Sequence, residues 1–182
     1  MIDRPAMLIV FGGLPGTGKT TLSRELSRRL AATYLRVDAI EQTLRAEGHE
    51  VGPMGYAIAN ALTAENLKLG GVVVADCVNP VLASRDGWRQ TALQRSARIA
   101  EIEVICSNVA LHLQRVEGRT SDIVGLKLPT WNDIVSRHYE PWDRDRLVLD
   151  TASGSIDHLL EQAEIYLRDE IGWSAAGRSP TW

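Results

Sequence analysis

Gly13-Leu14-Pro15-Gly16-Thr17-Gly18-Lys19-Thr20 decides how this chain is read. Glycine, four residues and then Gly-Lys-Thr is the pattern of a phosphate-binding P-loop. The run before it, Met7-Leu8-Ile9-Val10-Phe11, is apolar and of strand length. After it, Leu22, Leu26 and Leu30 recur at i, i+4 and i+8, one stripe of a helix. Strand, glycine-rich turn and helix form the context the motif requires. The glycines let the backbone turn its N–H groups inward, where a side chain would block an approaching phosphate. The helix N-terminus adds partial positive charge. Gly13, Leu14, Pro15, Gly16, Thr17, Gly18, Lys19, Thr20 and Thr21 are therefore the candidate cradle for a nucleoside triphosphate. In it Lys19 can reach the β- and γ-phosphates, and the Thr20 hydroxyl can ligate Mg2+.

Composition sets the bounds. A length of 182 residues suits one domain with a full hydrophobic core, and 45% apolar with 24% charged residues is ordinary for a globular protein. A net charge of −3 gives no sign of broad, non-specific nucleic-acid binding. No apolar run is long enough to span a bilayer. The start, Met1-Ile2-Asp3-Arg4-Pro5, lacks the basic region and apolar core of a signal peptide, so a cytoplasmic location is expected. Cys77 and Cys106 fall in or beside predicted strands and read as small core residues, not as a disulfide framework. The histidines show no metal-ligand spacing.

Working outward from the P-loop, strands are predicted at 34–37, 72–75, 99–106 and 146–150. Helices are predicted from Asp38 through Arg45, from Pro53 to the stop at Gly70-Gly71, and over 82–97, 109–117, 129–139 and 155–168. Alternation of this kind implies an α/β fold, a P-loop NTPase three-layer sandwich whose five-stranded parallel sheet carries helices on both faces. The expected layout is one domain over 1–170, a short polar lid at 118–128 and a tail at 171–182, frayed or docked. Ligands of such sheets bind at the carboxyl ends of the strands, which singles out Asp38, Asp76 and Thr151.

Asp76 ends an apolar strand, where a P-loop protein places a carboxylate that holds Mg2+ opposite Thr20. An aspartate there also serves as an ordinary strand-end cap. Asp38 stands where a base would accept the proton of an acceptor hydroxyl, a role compatible with helix capping. Arg36 and Arg45 are close enough in sequence to bind an anionic acceptor. Arg115 and Arg119 lie one helical turn apart, and Arg119 opens the polar segment that also carries Lys127. Arginines on a closing loop can neutralise the charge that phosphoryl transfer spreads over the γ-phosphate. Asn79 is a candidate acceptor contact or a turn into Pro80. Tyr56 and Trp88 are candidate pocket walls or core.

The ordered set resembles the small P-loop kinases acting on hydroxyls: gluconate kinase, chloramphenicol phosphotransferase, the kinase domain of bacteriophage polynucleotide kinase, and bacterial proteins of the same type labelled AAA-family ATPases. The resemblance covers roughly residues 7–168. It rests on residues 13–21, on Asp38, on Gly70-Gly71-Val72-Val73-Val74-Ala75-Asp76 with Asn79, on Arg115 with Arg119, and on Leu147-Val148-Leu149-Asp150-Thr151. It implies ATP phosphates on the P-loop, the acceptor hydroxyl against Asp38, Mg2+ at Asp76, a lid bearing Arg115 and Arg119, and adenine near the loop after Thr151. Several relatives carry arginine three residues after the acceptor-site aspartate, where this chain has Glu41.

The expected function is therefore transfer of the γ-phosphoryl group of Mg-ATP to a hydroxyl of a small molecule. Rival readings are a nucleotide kinase, a polynucleotide 5′-hydroxyl kinase, and a regulatory ATPase. A nucleotide kinase wants several arginines around the acceptor, and the segment from Asp38 to Gly70 offers only Arg45. A polynucleotide kinase needs a basic channel, so a nucleic-acid partner is not expected. Sequence does not indicate the oligomeric state.

Overall fold

In a computed structural model describing residues 6–169 and 171–172, five strands alternate with helices along the chain. β1 (Met7–Gly12), β2 (Thr33–Arg36), β3 (Val72–Asp76), β4 (Arg98–Ile105) and β5 (Leu147–Asp150) form one sheet in the order β2-β3-β1-β4-β5. Every neighbouring pair runs parallel. The helices are α1 (Lys19–Leu30), α2 (Val37–Ala46), α3 (Met54–Lys68), α4 (Leu82–Gln94), α5 (Val109–Gly118), α6 (Trp131–Val135) and α7 (Ile156–Asp169).

Two cores sandwich the sheet. Side chains alternate faces along a strand, so Met7, Ile9 and Phe11 of β1 join Leu22, Leu26 and Leu30 of α1 and Leu159, Leu160, Ala163 and Leu167 of α7 on one side. Leu8 and Val10 face the other side, with Ala59 and Leu67 of α3 and Trp88 and Ala92 of α4. Burial of each large apolar side chain contributes about 1.5–3 kcal/mol. β1 lies in the middle of the sheet, buried along its whole length. The loop that follows it is thus held by the most constrained strand of the fold.

Three element ends differ from the sequence expectation, each for a local reason. α4 stops at Gln94 because Ser96 turns into the left-handed region (φ 50°) and the Ala97 N–H donates back to Ala92 O at 3.0 Å. α6 has five residues, started by a capping box between Thr130 and Asp133. The chain then leaves the helix because Arg85 captures it further on, donating to the carbonyls of Glu140 (2.7 Å) and Pro141 (2.9 Å). β2 ends at Arg36, and Asp38 sits in the first turn of α2, where a carboxylate complements the helix dipole. The Ile171 side chain packs against the first core, while 173–182, most of the expected tail, lies outside the described residues.

Sheet register then places the chemistry. Asp76 is paired with Phe11 on one side and with Arg36 on the other. The carboxyl ends of β1, β2 and β3 therefore bring the P-loop, Asp76 and Arg36 together.

Candidate active site

The P-loop is built so that its glycines cannot be exchanged. Gly13 has φ 137°, and a Cβ there would lie 2.2 Å from the Val104 carbonyl oxygen of β4. Gly16 has φ 85°, and a Cβ would lie 2.5 Å from Val116 Cγ2 and 3.2 Å from the His112 ring. α5 is thus pressed directly against the loop. His112 is buried, and its Nε2 lies 2.8 Å from the Pro15 carbonyl, a geometry in which the ring nitrogen must carry the proton. Trp131 of α6 meets the same ring edge-on, with centroids 5.1 Å apart.

Thr151, just past β5, braces the loop from a second direction. Its hydroxyl donates to the Thr17 carbonyl at 2.7 Å and accepts from Arg115 Nη1 at 2.7 Å, while Arg115 Nη2 donates to the Thr151 carbonyl at 3.2 Å. Asp150 next to it binds the backbone N–H groups of Ser107 and Ala152, each at 3.0 Å. Burial raises the Asp150 pKa, but the bonds from Ser107 and Ala152 outweigh it and hold the carboxyl below its usual range. Inside the loop the Thr17 hydroxyl donates to the Leu14 carbonyl at 2.9 Å.

In front of the loop opens a cavity of about 1300 Å³. Gly16, Gly18, Lys19, Thr20, Thr21, Asp38, Arg45, Arg115, Arg119 and Lys127 all line it. Lys19 is 5% exposed and has no hydrogen-bond or ion-pair partner among the described residues. A buried ammonium without a counter-charge is costly, and the cavity is where one would come from. Asp76 is 1% exposed and accepts from Tyr34 Oη at 2.7 Å. Burial, and then the charge of Asp76, push the Tyr34 phenol up, so it remains a donor.

Asp38, one-third exposed, looks into the cavity from α2. Glu41, one turn on, pairs with Arg45 at 3.0 Å, and burial raises its pKa. Gly55 of α3 gives Glu41 room, for a Cβ there would lie 2.4 Å from Glu41 Cγ. Arg45 remains half-exposed at the cleft mouth. Tyr56 of α3 lines the cavity, whereas Trp88 is fully buried in the core. Asn79 is also fully buried: its N–H donates to Tyr56 Oη at 2.9 Å, and its Oδ1 accepts from Ser84 Oγ at 2.9 Å. It shapes the wall from behind, between the lining residues Val78 and Pro80.

The segment 118–128 crosses the far side of this cavity. Arg119 caps the end of α5, so it does not continue the helical face of Arg115. Its Nε is buried without a partner. Burial lowers its pKa, and the Arg36 charge adds to that while Asp38 opposes it. Asp122 is clamped between Arg24 of α1 and Arg36 Nη1, the latter at 2.8 Å. Further along, Gly125 lies against Gln42 of α2.

Sequence reading picked out the P-loop, Asp38, Asp76, Thr151 and the two lid arginines, and all of them converge here. It missed His112, Tyr34, Arg24 and Asp122. The spacing of His112, three residues before Arg115 on one helical face, was the available signal for the first. Nothing in the sequence pairs Asp122 with residues 86 and 98 positions away.

The residues present fit a nucleotide with a hard divalent cation. Two glycines leave the loop open, a buried cation and the Thr20 hydroxyl line the space, and the buried Asp76 carboxylate ends β3 beside β1 in register. Among the described residues no group of three His, Cys, Asp or Glu forms a metal site by itself, so phosphate oxygens and water would complete the shell. Among the described residues no helix is long and apolar enough to cross a membrane.

Comparison with known proteins agrees with this fold. Residues 8–141 match the family model described as AAA domain. No curated protein matches the chain in sequence. Among solved structures, a gluconokinase from Sinorhizobium meliloti 1021 superimposes with a TM-score of 0.66 at 19% identity, covering 93% of this chain and 95% of that one. A sugar kinase from Janibacter gives 0.67 at 16% identity, covering 96% and 100%. The Mycobacterium tuberculosis APS kinase CysC in complex with AMPPNP and APS gives 0.67 at 18% identity, covering 91% and 99%. At these identities the likeness is one of fold.

Proposed function

The chain belongs to the AAA domain family, and from that premise we propose that it is an ATP-dependent phosphotransferase acting on a hydroxyl of a small molecule. One observation carries this reading. A single cavity is lined by the P-loop, the unpartnered Lys19, the Thr20 hydroxyl and the Asp38 carboxylate, beneath a segment bearing Arg119. The names of the neighbours support it, since they include a gluconokinase, a sugar kinase and a kinase bound to AMPPNP.

In this reading the P-loop N–H groups and Lys19 hold the β- and γ-phosphates of ATP. Thr20 and Asp76 hold Mg2+, which when bound offsets charge on the β- and γ-oxygens. Tyr34 keeps the Asp76 carboxylate oriented through its hydrogen bond. Asp38 orients the acceptor hydroxyl and takes its proton as the oxygen attacks the γ-phosphorus in line, while the bond from that phosphorus to the β–γ bridging oxygen breaks and ADP leaves. Arg119, whose Nε has no hydrogen-bond partner among the described residues, neutralises the transferring group. Arg115 acts through Thr151, keeping the P-loop in shape. Arg45 and Glu41 border the acceptor at the cleft mouth, and Asn79 supports that wall from behind. The segment 118–128 excludes water.

The test is a screen of hydroxyl compounds (sugars, sugar acids, nucleosides, antibiotics) with labelled ATP and Mg2+. Phosphoryl transfer to at least one compound, with ATP turnover stimulated by it, is expected. ATP turnover indifferent to every acceptor would move the reading to a regulatory ATPase.

A further inference from the structure

One guanidinium joins three carboxylates drawn from three parts of the cleft. Arg36, the last residue of β2, has a side chain 13% exposed. Its Nη1 donates to Asp122 Oδ1 at 2.8 Å. Its Nε is buried without a hydrogen-bond partner, 3.9 Å from Asp76 Oδ2 and 3.9 Å from Asp38 Oδ2. Asp76 and Arg36 are neighbours by sheet register, and Asp38 follows two residues on in α2, so these three are fixed by the frame of the fold. Asp122 is different. It belongs to the 118–128 segment that lines the cavity, 86 positions from Arg36 in sequence. Arg24 of α1 holds its other oxygen. The Arg24 bond, then the Arg36 bond, hold the Asp122 carboxyl well below the usual range, so it is charged at neutral pH.

We propose that Arg36 is a positioning residue that couples closure of the 118–128 segment to the two site carboxylates, a role that rests on the kinase reading of Asp38 and Asp76. With the segment down, Asp122 takes the hydrogen bond of the guanidinium. Asp38 and Asp76 then feel its charge without being bonded to it, and stay free for a proton and a cation. With the segment up, the mostly buried Arg36 loses that partner. A shift of about 1 Å brings its N–H groups within hydrogen-bond distance of Asp38 and Asp76. A guanidinium bonded to them competes with a metal at Asp76 and occupies the Asp38 oxygen that would take the acceptor's proton. The base and the metal ligand are thus masked in the open enzyme and released on closure, when the acceptor has displaced water.

The competing possibility is that Asp122 merely ties the segment down through Arg24, with Arg36 a bystander. A double-mutant cycle of Asp122→Asn, Arg36→Gln and both, in the full chain, separates the two. Two readouts need no phosphoryl transfer. The first is the rate of tryptic cleavage after Arg119 and Lys127 in the native protein, followed by mass spectrometry. Each single variant is expected to raise it roughly fivefold, and the double variant no further than the faster single. The second is the Mg2+ concentration that half-saturates AMPPNP binding. Asp122→Asn is expected to raise it roughly fivefold, and Arg36→Gln in the same chain to bring it back toward the wild-type value. Wild-type cleavage in Arg36→Gln, an unshifted Mg2+ midpoint in Asp122→Asn, or simple additivity of the two changes overturns the proposal. If Arg36→Gln fails to fold, Arg36→Lys keeps the charge and is expected to preserve the Asp122→Asn shift without rescuing it. Full rescue by Lys overturns the proposal. Since neither readout uses an acceptor, absence of transfer to every acceptor defeats the kinase reading and leaves this test legible.

Discussion

The Thr151 hydroxyl donates to the Thr17 carbonyl across 134 positions of sequence, at 2.7 Å, while it accepts from Arg115. The end of β5, the last turn of α5 and the phosphate loop are thereby fastened at one atom. Thr151→Val removes that atom and keeps the shape. Each lost bond is worth about 0.5–1.5 kcal/mol. Binding of Mg-ATP should weaken roughly tenfold, with a thermal midpoint within a few degrees of wild type. An unchanged Kd by calorimetry would show that the loop holds its shape without this brace.

Lys19 is a buried cation that lines the cavity and has no hydrogen-bond or ion-pair partner among the described residues. Lys19→Ala should lower transfer by about 10²–10³ or more, the range seen when a group facing transition-state charge is removed. The global fold should persist, because no hydrogen bond or ion pair among the described residues is broken. Labelled-ATP assays beside circular dichroism check both halves.

Asp38→Asn separates binding from chemistry. The variant keeps the size of the residue in the first turn of α2 but cannot take a proton. The turnover number for the acceptor should fall by about 10²–10⁴, while the Kd for ATP changes by about twofold at most. Transfer at the wild-type rate would remove Asp38 from the role of base.

Gly16 and Gly48 share a left-handed backbone, φ 85° and 81°, but not their surroundings. A Cβ on Gly48 meets nothing within 4 Å, whereas one on Gly16 runs into Val116 and His112. Gly48→Ala should therefore cost about 1–2 kcal/mol of stability, from backbone strain alone. Gly16→Ala should cost about 1–3 kcal/mol more from overpacking and should lose nucleotide binding as α5 is pushed away. Urea melts of the two variants measure the difference.

Asp122 gives a pH signature with a definite sign. Its carboxyl titrates below the ordinary aspartate value of about 3.9. Its contribution to stability is therefore complete above the unfolded value and is lost as pH falls through the lower folded one. The gap in melting temperature between wild type and Asp122→Asn should be flat from neutrality down to about pH 5 and should close in stronger acid. A gap that closes above pH 5 would show that the two arginines do not hold the carboxylate.

Sequence disclosed what local rules dictate. The P-loop signature, the apolar strands and the leucine stripe of α1 each follow from short-range sterics and periodicity, so β1 and α1 were legible to within a residue or two. Asp76 was legible because a strand must end somewhere and the fold puts ligands at that end. Arg115 was found but given a different task, because its partner Thr151 is 36 residues away and only the sheet brings them together. Arg36 was read as a candidate for an anionic acceptor, and its ties to Asp76 and Asp122 were not legible. Two residues from Asp38 in sequence, it is defined by register against β3, which no periodicity encodes. His112 left only its spacing from Arg115 as a signal, because its partner is a backbone carbonyl, and carbonyls carry no residue identity.

Arg85 holds the chain at Glu140 and Pro141 with its guanidinium 4.2 Å from the Trp142 ring, and His112 and Arg115 fasten the chain to the P-loop on the other side. The stretch between them is therefore like a strap bolted at both ends to a rigid chassis. Replacement confined to residues 123–130 would leave both bolts, the Asp122 clamp and the Trp131 packing on His112 in place. A lineage can rewrite what it recognises in that shorter stretch without disturbing how it holds a triphosphate, and a protein engineer can graft there on the same terms.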